Sequence, residues 1–132
     1  MANTPFLEGE EKLARLASRY VAVEQLPWKP TPSPGIDMKI LLEDKETGLL
    51  TALFRWGPGT ELPLHEHVEI EQTYVLSGSI VDDEGECREG DYVWRPKGNR
   101  HLARSPNGAL VISFFLKPNK FLTGKFKGQE LK

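Results

Sequence analysis

The sequence predicts an all-β fold, a small barrel or sandwich, from three observations. From Ile36 onward, short runs rich in β-branched and aromatic residues recur: MKILLE, LLTALFRW, QTYVLSGSIV, YVWR and ALVISFFL. Between them lie residues that close turns, in 44–48 (DKETG), 82–86 (DDEGE) and Pro96-Lys97-Gly98. Ahead of the first run, prolines at 27, 30, 32 and 34 followed by Gly35 exclude helix and leave an extended crossing segment.

Taken in order, residues 8–18 (EGEEKLARLAS) read as the one helical stretch. Acidic residues lead, basic ones follow, and Leu13, Leu16 and Ala17 share a face. A helix of about three turns needs a surface to pack on. MKILLE and LLTALFRW then form a hairpin about 44–48, and QTYVLSGSIV runs into the turn at 82–86. YVWR leads to the Pro96–Gly98 corner, and 109–116 reads as a buried strand by composition. Phe54, Trp56, Phe114 and Phe115 are expected in the core. The basic end of the chain offers Phe121, Leu122 and Phe126 as packing handles. The expected organisation is a helical extension over 1–19, a barrel domain over 20–118 and a tail over 119–132.

A chain of 132 residues can bury one core unaided. Hydrophobic content of 39% and charged content of 27% fit a globular protein, and a net charge of −2 gives no pull toward nucleic acid or anionic lipid. No apolar run reaches membrane-spanning length, and Cys87, the sole cysteine, forbids an internal disulfide. The first residues lack the basic and apolar regions of a signal peptide, so a reduced, cytoplasmic setting is expected.

All three histidines fall in two short patterns. The first is Gly59-TELPL-His65-Glu66-His67-VEI-Glu71-QTYVLS-Gly78, and the second is Gly90-DYVWR-Pro96-Lys97-Gly98-NR-His101. Strand side chains alternate with period two, so His65 and His67 point to one side and their nitrogens can converge. Glu71 follows a short corner, and His101 arrives from a distant strand. Three imidazoles and a carboxylate suit a first-row transition metal. Glu71 has a second reading, as a carboxylate that backs a ligand without touching the ion. Glu66 and Glu69 read as outward charges. Alternation places Thr73 and Val75 with Glu71, turning Tyr74 outward, and Ala103 with His101, turning Arg104 outward. Arg55, in an otherwise apolar strand, is a candidate substrate anchor whose facing the sequence leaves open, and Trp94 is a further pocket candidate. Nothing marks Cys87 as a nucleophile.

These two segments resemble the signature motifs of the cupin superfamily. The glycine, HxH, glutamate and final glycine of the first match in identity and spacing, as do Gly90, Pro96, Gly98 and His101 of the second. Ser105 stands where the family has asparagine, a position that binds no metal. A finer resemblance, to the ChrR-type cupins, rests on Trp28-Lys-Pro, Pro34-Gly, the Gly48 hairpin and Val75-Leu-Ser-Gly. The resemblance implies a jelly-roll barrel of two antiparallel sheets with iron, manganese, nickel or zinc on His65, His67, Glu71 and His101. It also implies a homodimer through edge strands. The ChrR-type group includes dioxygenases that cleave diketones or acetophenones and the C-terminal domain of an anti-sigma factor. The anti-sigma activity resides in a separate zinc-binding helical region, and the residues preceding the β segment here contain neither cysteine nor histidine. The leading expectation is a non-haem Fe(II) dioxygenase acting on a small diketone or hydroxylated aromatic ketone with O2. The alternatives are a non-catalytic metal- or ligand-binding sensor module and a metal-dependent isomerase or lyase.

Overall fold

The structure, a computed structural model, describes residues 1–122 and 127–130, so Phe126 lies outside the described residues. The strands are β1 (Lys29–Pro30), β2 (Ile36–Asp44), β3 (Leu49–Trp56), β4 (Thr60–Glu66), β5 (Glu71–Val81), β6 (Glu86–Arg88), β7 (Tyr92–Arg95), β8 (Arg100–Ser105), β9 (Ala109–Phe115) and β10 (Lys120–Phe121). Their ladders are antiparallel and form two curled sheets. One runs β1-β2-β3-β9-β5-β7 and the other β10-β4-β8-β5-β6. The long strand β5 belongs to both: residues 71–78 pair with β9 and 71–74 also with β7, whereas 79–81 pair with β6 and Val81 with β8.

The crossing of β5 between sheets requires a close backbone approach at Gly78. Its φ is 73°, and a Cβ there would meet the Gly108 carbonyl oxygen at 2.0 Å, so only glycine fits. Inside the barrel, alternation on β3 turns Leu50, Ala52, Phe54 and Trp56 inward, where they join Ile36, Met38, Val75, Val111 and Phe115. Phe54 meets Phe115 edge-on with centroids 5.9 Å apart. The same alternation sends Phe114 outward, 42% exposed, contrary to its expected place in the core.

The expected helix over 8–18 is replaced by a single 3₁₀ turn at Glu10–Lys12. The physical reason is the missing packing surface: Leu13 and Leu16 are exposed, Leu16 at 93%, so no apolar stripe is buried to hold three helical turns together. Glu10 instead ties the segment together, accepting from the Thr4 backbone N–H at 2.6 Å and from Arg19 Nε at 3.0 Å. A second 3₁₀ turn, Val23–Gln25, leads into a stretch that roofs the outer face of β2 and β3. There Lys39 Nζ donates to the Val23 carbonyl, and the Trp28 ring receives Lys39 and Arg55 at 4.9 and 4.2 Å. Among the described residues, no helix is long and apolar enough to cross a membrane.

Candidate metal centre

Two backbone features bring the histidines together. Pro63 cannot donate to a ladder, and β4 carries a bulge between Leu62 and His65 that places His65 directly opposite His101 on β8. Beyond the end of β4, His67 is held by main-chain bonds to the corner that precedes His101. Gly98 N donates to His67 O at 2.7 Å, and His67 N donates to Asn99 O at 2.8 Å. Gly98, with φ 86°, is the residue that lets this corner close, with Asn99 N donating back to Pro96 O at 3.0 Å.

All three rings are buried, and one nitrogen from each lies within 4.8 Å of the others. The outer nitrogens are occupied. His65 Nδ1 lies 2.8 Å from the Pro63 carbonyl, and His101 Nδ1 lies 2.7 Å from Asp82 Oδ2, so both rings carry their proton on Nδ1 and turn Nε2 inward. His67 Nδ1 lies 2.8 Å from Glu71 Oε2. The pair is in close contact, although this nitrogen has no aligned hydrogen-bond acceptor. The inner nitrogens Nε2 of His67 and His101 are 2.9 Å apart. With the His65 nitrogen in the same cluster, the three rings present the neutral nitrogen donors that a divalent transition metal takes.

Burial, with the neighbouring His101, holds His65 down to about 3. Burial and then the Arg95 charge lower His101 as well, against the raising effect of Asp82. Neutral imidazoles are the form that binds metal. The two carboxylates behind the rings differ. Burial would raise Glu71, but the His67 contact and bonds from Asn119 Nδ2 (3.1 Å) and Thr73 Oγ1 (2.8 Å) together hold it below the usual carboxylate range. Since Thr73 gives its proton to Glu71, Ser113 donates to Thr73, 2.7 Å away. For Asp82, burial is outweighed by Arg95 at 2.7 Å, by His101, and by the backbone N–H groups of Glu84 and Gly85 at 2.9 and 3.0 Å.

His65, His101 and Glu71 open on a cavity of ≈ 40 Å³ walled mainly by apolar side chains, among them Phe54, Leu62, Val75 and Phe115. That is room for roughly two or three waters. Trp56 and Asn119 also line it, and each has one buried polar atom, Nε1 and Oδ1 respectively, without a hydrogen-bond partner. Cys87 lies in the wall, where burial and then Asp91 raise its thiol, consistent with an inert side chain.

The structure thus brings His65, His67 and His101 together and places Glu71 behind His67, outside the set of converging nitrogens. Arg55, the candidate substrate anchor, is not in the cavity. Alternation on β3 turns it outward, where it pairs with Asp37 at 3.1 Å over Trp28. Trp94 likewise points out, 56% exposed. Tyr74 and Arg104 face outward as alternation requires. Sequence reading missed Asp82, Arg95 and Asn119. Arg95 had a signal, since β7 alternation puts it with Val93, opposite Tyr92 and Trp94. Asp82 was hidden in turn chemistry that it also satisfies, and nothing local distinguishes Asn119.

No curated protein shows significant sequence similarity to this chain. Among solved structures, a candidate acetylacetone dioxygenase from Methylibium petroleiphilum PM1 is 24% identical over 90% of both chains, with a TM-score of 0.78. The acetylacetone dioxygenase of Acinetobacter johnsonii is 21% identical over 91% of this chain and 88% of its own, with a TM-score of 0.77. The anti-sigma protein ChrR of Rhodobacter sphaeroides, seen in complex with SigE, is 20% identical over 70% of this chain and 50% of its own, with a TM-score of 0.60. At these identities the likeness carries the cupin fold alone. Residues 16–120 match the model of the ChrR cupin-like domain, and the chain belongs to that family.

Proposed function

We propose that this protein is a non-haem iron dioxygenase that cleaves a small enolisable diketone or hydroxylated aromatic ketone, with Fe(II) held by His65, His67 and His101. The observation that carries the reading is the convergence of three buried imidazole nitrogens beside an apolar cavity. Bound ferrous iron would supply the redox chemistry by which O2 reacts with an enolate. Manganese and nickel suit the same ligands, and zinc would support Lewis-acid chemistry instead.

The rest is the work of the chain itself. Pro63 and Asp82 fix the tautomers of His65 and His101, so no proton has to leave these two inner nitrogens before metal binds. Glu71 provides a negative charge next to His67 that offsets part of the charge of a divalent ion. The small, mainly apolar cavity favours a compact, largely apolar substrate over a bulky or charged one. The partnerless Trp56 N–H suits a ligand that presents an acceptor oxygen, as an enolised diketone does.

The test is metal content by mass spectrometry on untagged protein, beside His101→Ala, followed by oxygen uptake. Near-stoichiometric iron, lost in the variant, and uptake that depends on a β-diketone, an acetophenone or a flavonol are expected. A ferrous protein without substrate-dependent uptake across all three classes would sink the proposal.

A further inference from the structure

Asn119 precedes β10, in a stretch pinned to the barrel: Phe121 stands opposite His65, and Leu122 N donates to Leu64 O at 2.8 Å. Its side chain is 2% exposed and lines the cavity together with His65, His101 and Glu71. The amide has only one way round. Carboxylate oxygens accept, so its Nδ2 end must face Glu71, as the 3.1 Å contact shows. The carbonyl end is thereby left to meet whatever occupies the cavity, and Oδ1 is buried with no hydrogen-bond donor among the described residues. A buried carbonyl without a donor is rare enough to need a reason. The wall does not supply the missing proton. Thr73 gives its hydroxyl proton to Glu71, His65 turns Nδ1 to the Pro63 carbonyl, and His101 and Arg95 both point to Asp82. The Trp56 N–H is itself without a partner, so it does not reach Oδ1.

We propose that Asn119 selects the substrate, its Oδ1 accepting a hydrogen bond from a hydroxyl group that the ligand keeps once bound. The inference rests on the dioxygenase reading of the same site and narrows its substrate to a hydroxy ketone. A β-diketone gives up its one readily lost proton to become the enolate, and then presents acceptors only. A ketone with a hydroxyl on the neighbouring carbon has a carbonyl oxygen to offer and still holds an O–H to donate. The mainly apolar cavity of ≈ 40 Å³ asks that such a ligand be compact and uncharged. It also sharpens the choice: a ligand without a donor leaves Oδ1 buried and unpaired, the means by which a polar group in an apolar site rejects an analogue that lacks its partner.

The test is an NMR titration of zinc-loaded protein, zinc being free of redox chemistry, with hydroxyacetone and with fluoroacetone, which has a fluorine of similar size in place of the hydroxyl. The ratio of the two affinities is expected to fall by about 10-fold in Asn119→Ala saturated with zinc, the loss of one hydrogen bond. Trp56→Phe is expected to weaken both ligands alike and keep the native ratio. Asn119→Ser, which can still donate to Glu71, replaces the alanine variant if zinc is lost. An unchanged ratio in the Asn119 variant overturns the proposal, as does a native protein that binds neither ketone. A ratio that falls as far in Trp56→Phe overturns it too, because the selection then belongs to the shape of the cavity. Oxygen uptake has no part in these titrations, so a ratio that responds to Asn119 without any turnover sinks the dioxygenase reading alone.

Discussion

Glu71 and Asp82 stand behind two of the three histidines, near opposite ends of β5, and their surroundings are opposites. Asp82 shares one oxygen between His101 and Arg95 and gives the other to two backbone N–H groups. Its charge is already met by the guanidinium, so it mainly aims the ring. Glu71 is buried among Thr73, Asn119 and His67, with no Lys or Arg among its bonded partners. Its charge is met by neutral dipoles and by whatever positive charge gathers at the imidazoles. Similar carboxylate–imidazole contacts can thus serve two purposes, orientation in one and charge balance in the other.

The most direct way to break this comparison is to neutralise each carboxylate and titrate metal. Glu71→Gln is expected to weaken binding by about 100-fold and Asp82→Asn by about 10-fold, the two ends of the range for groups that back a ligand. Isothermal titration with Fe(II) or Mn(II) checks this, and equal losses would mean that both act only by aiming rings. The reverse order would assign the charge-balancing role to Asp82.

A smaller effect separates the rings from the carboxylates through pH. In metal-free protein His65 is held down to about 3 from an ordinary 6.5, and His101 is lowered too. The unfolded chain therefore takes up protons on these rings that the folded one refuses, so stability is present above about 6.5 and falls as pH drops below it. Glu71 and Asp82, lowered in the fold, also lose stability on acidification, but only below the ordinary carboxylate values of 4.5 and 3.8. Thermal melts of the metal-free protein should show a midpoint that declines between pH 6.5 and 4.5 and steepens below. A flat midpoint across the upper window would show that the rings are not excluded from protons.

The smallest expected effect is Asn119→Ala. It removes one bond to Glu71 and is expected to cost a few-fold in metal affinity, about 1 kcal/mol. A larger loss would make Asn119 a third pillar of the charged end.

How much of this was legible follows from what each element depends on. The histidines could be read because period-two alternation and turn spacing are local properties of the chain. The same rule, applied to β7, would have found Arg95. The helix over 8–18 failed because its pattern of charge and leucine promised a face that the barrel does not cover, as exposed Leu16 shows. Phe114 misled because composition cannot tell the two faces of one strand apart. Glu71 was seen, but whether its carboxylate meets a metal or an imidazole depends on side-chain direction at a corner, which spacing does not determine. Asn119 and Asp82 work through contacts 48 and 19 positions away, beyond any local signal.

One of those long contacts ties the end of the described chain to the site. Strand β10 lies beside β4, with Phe121 opposite His65, and Asn119 closes on Glu71 just before it. The carboxylate next to His67 therefore draws one of its donors from a segment that follows every strand of the barrel core in sequence. A change confined to that segment can reach the histidines through Glu71 without touching any of them.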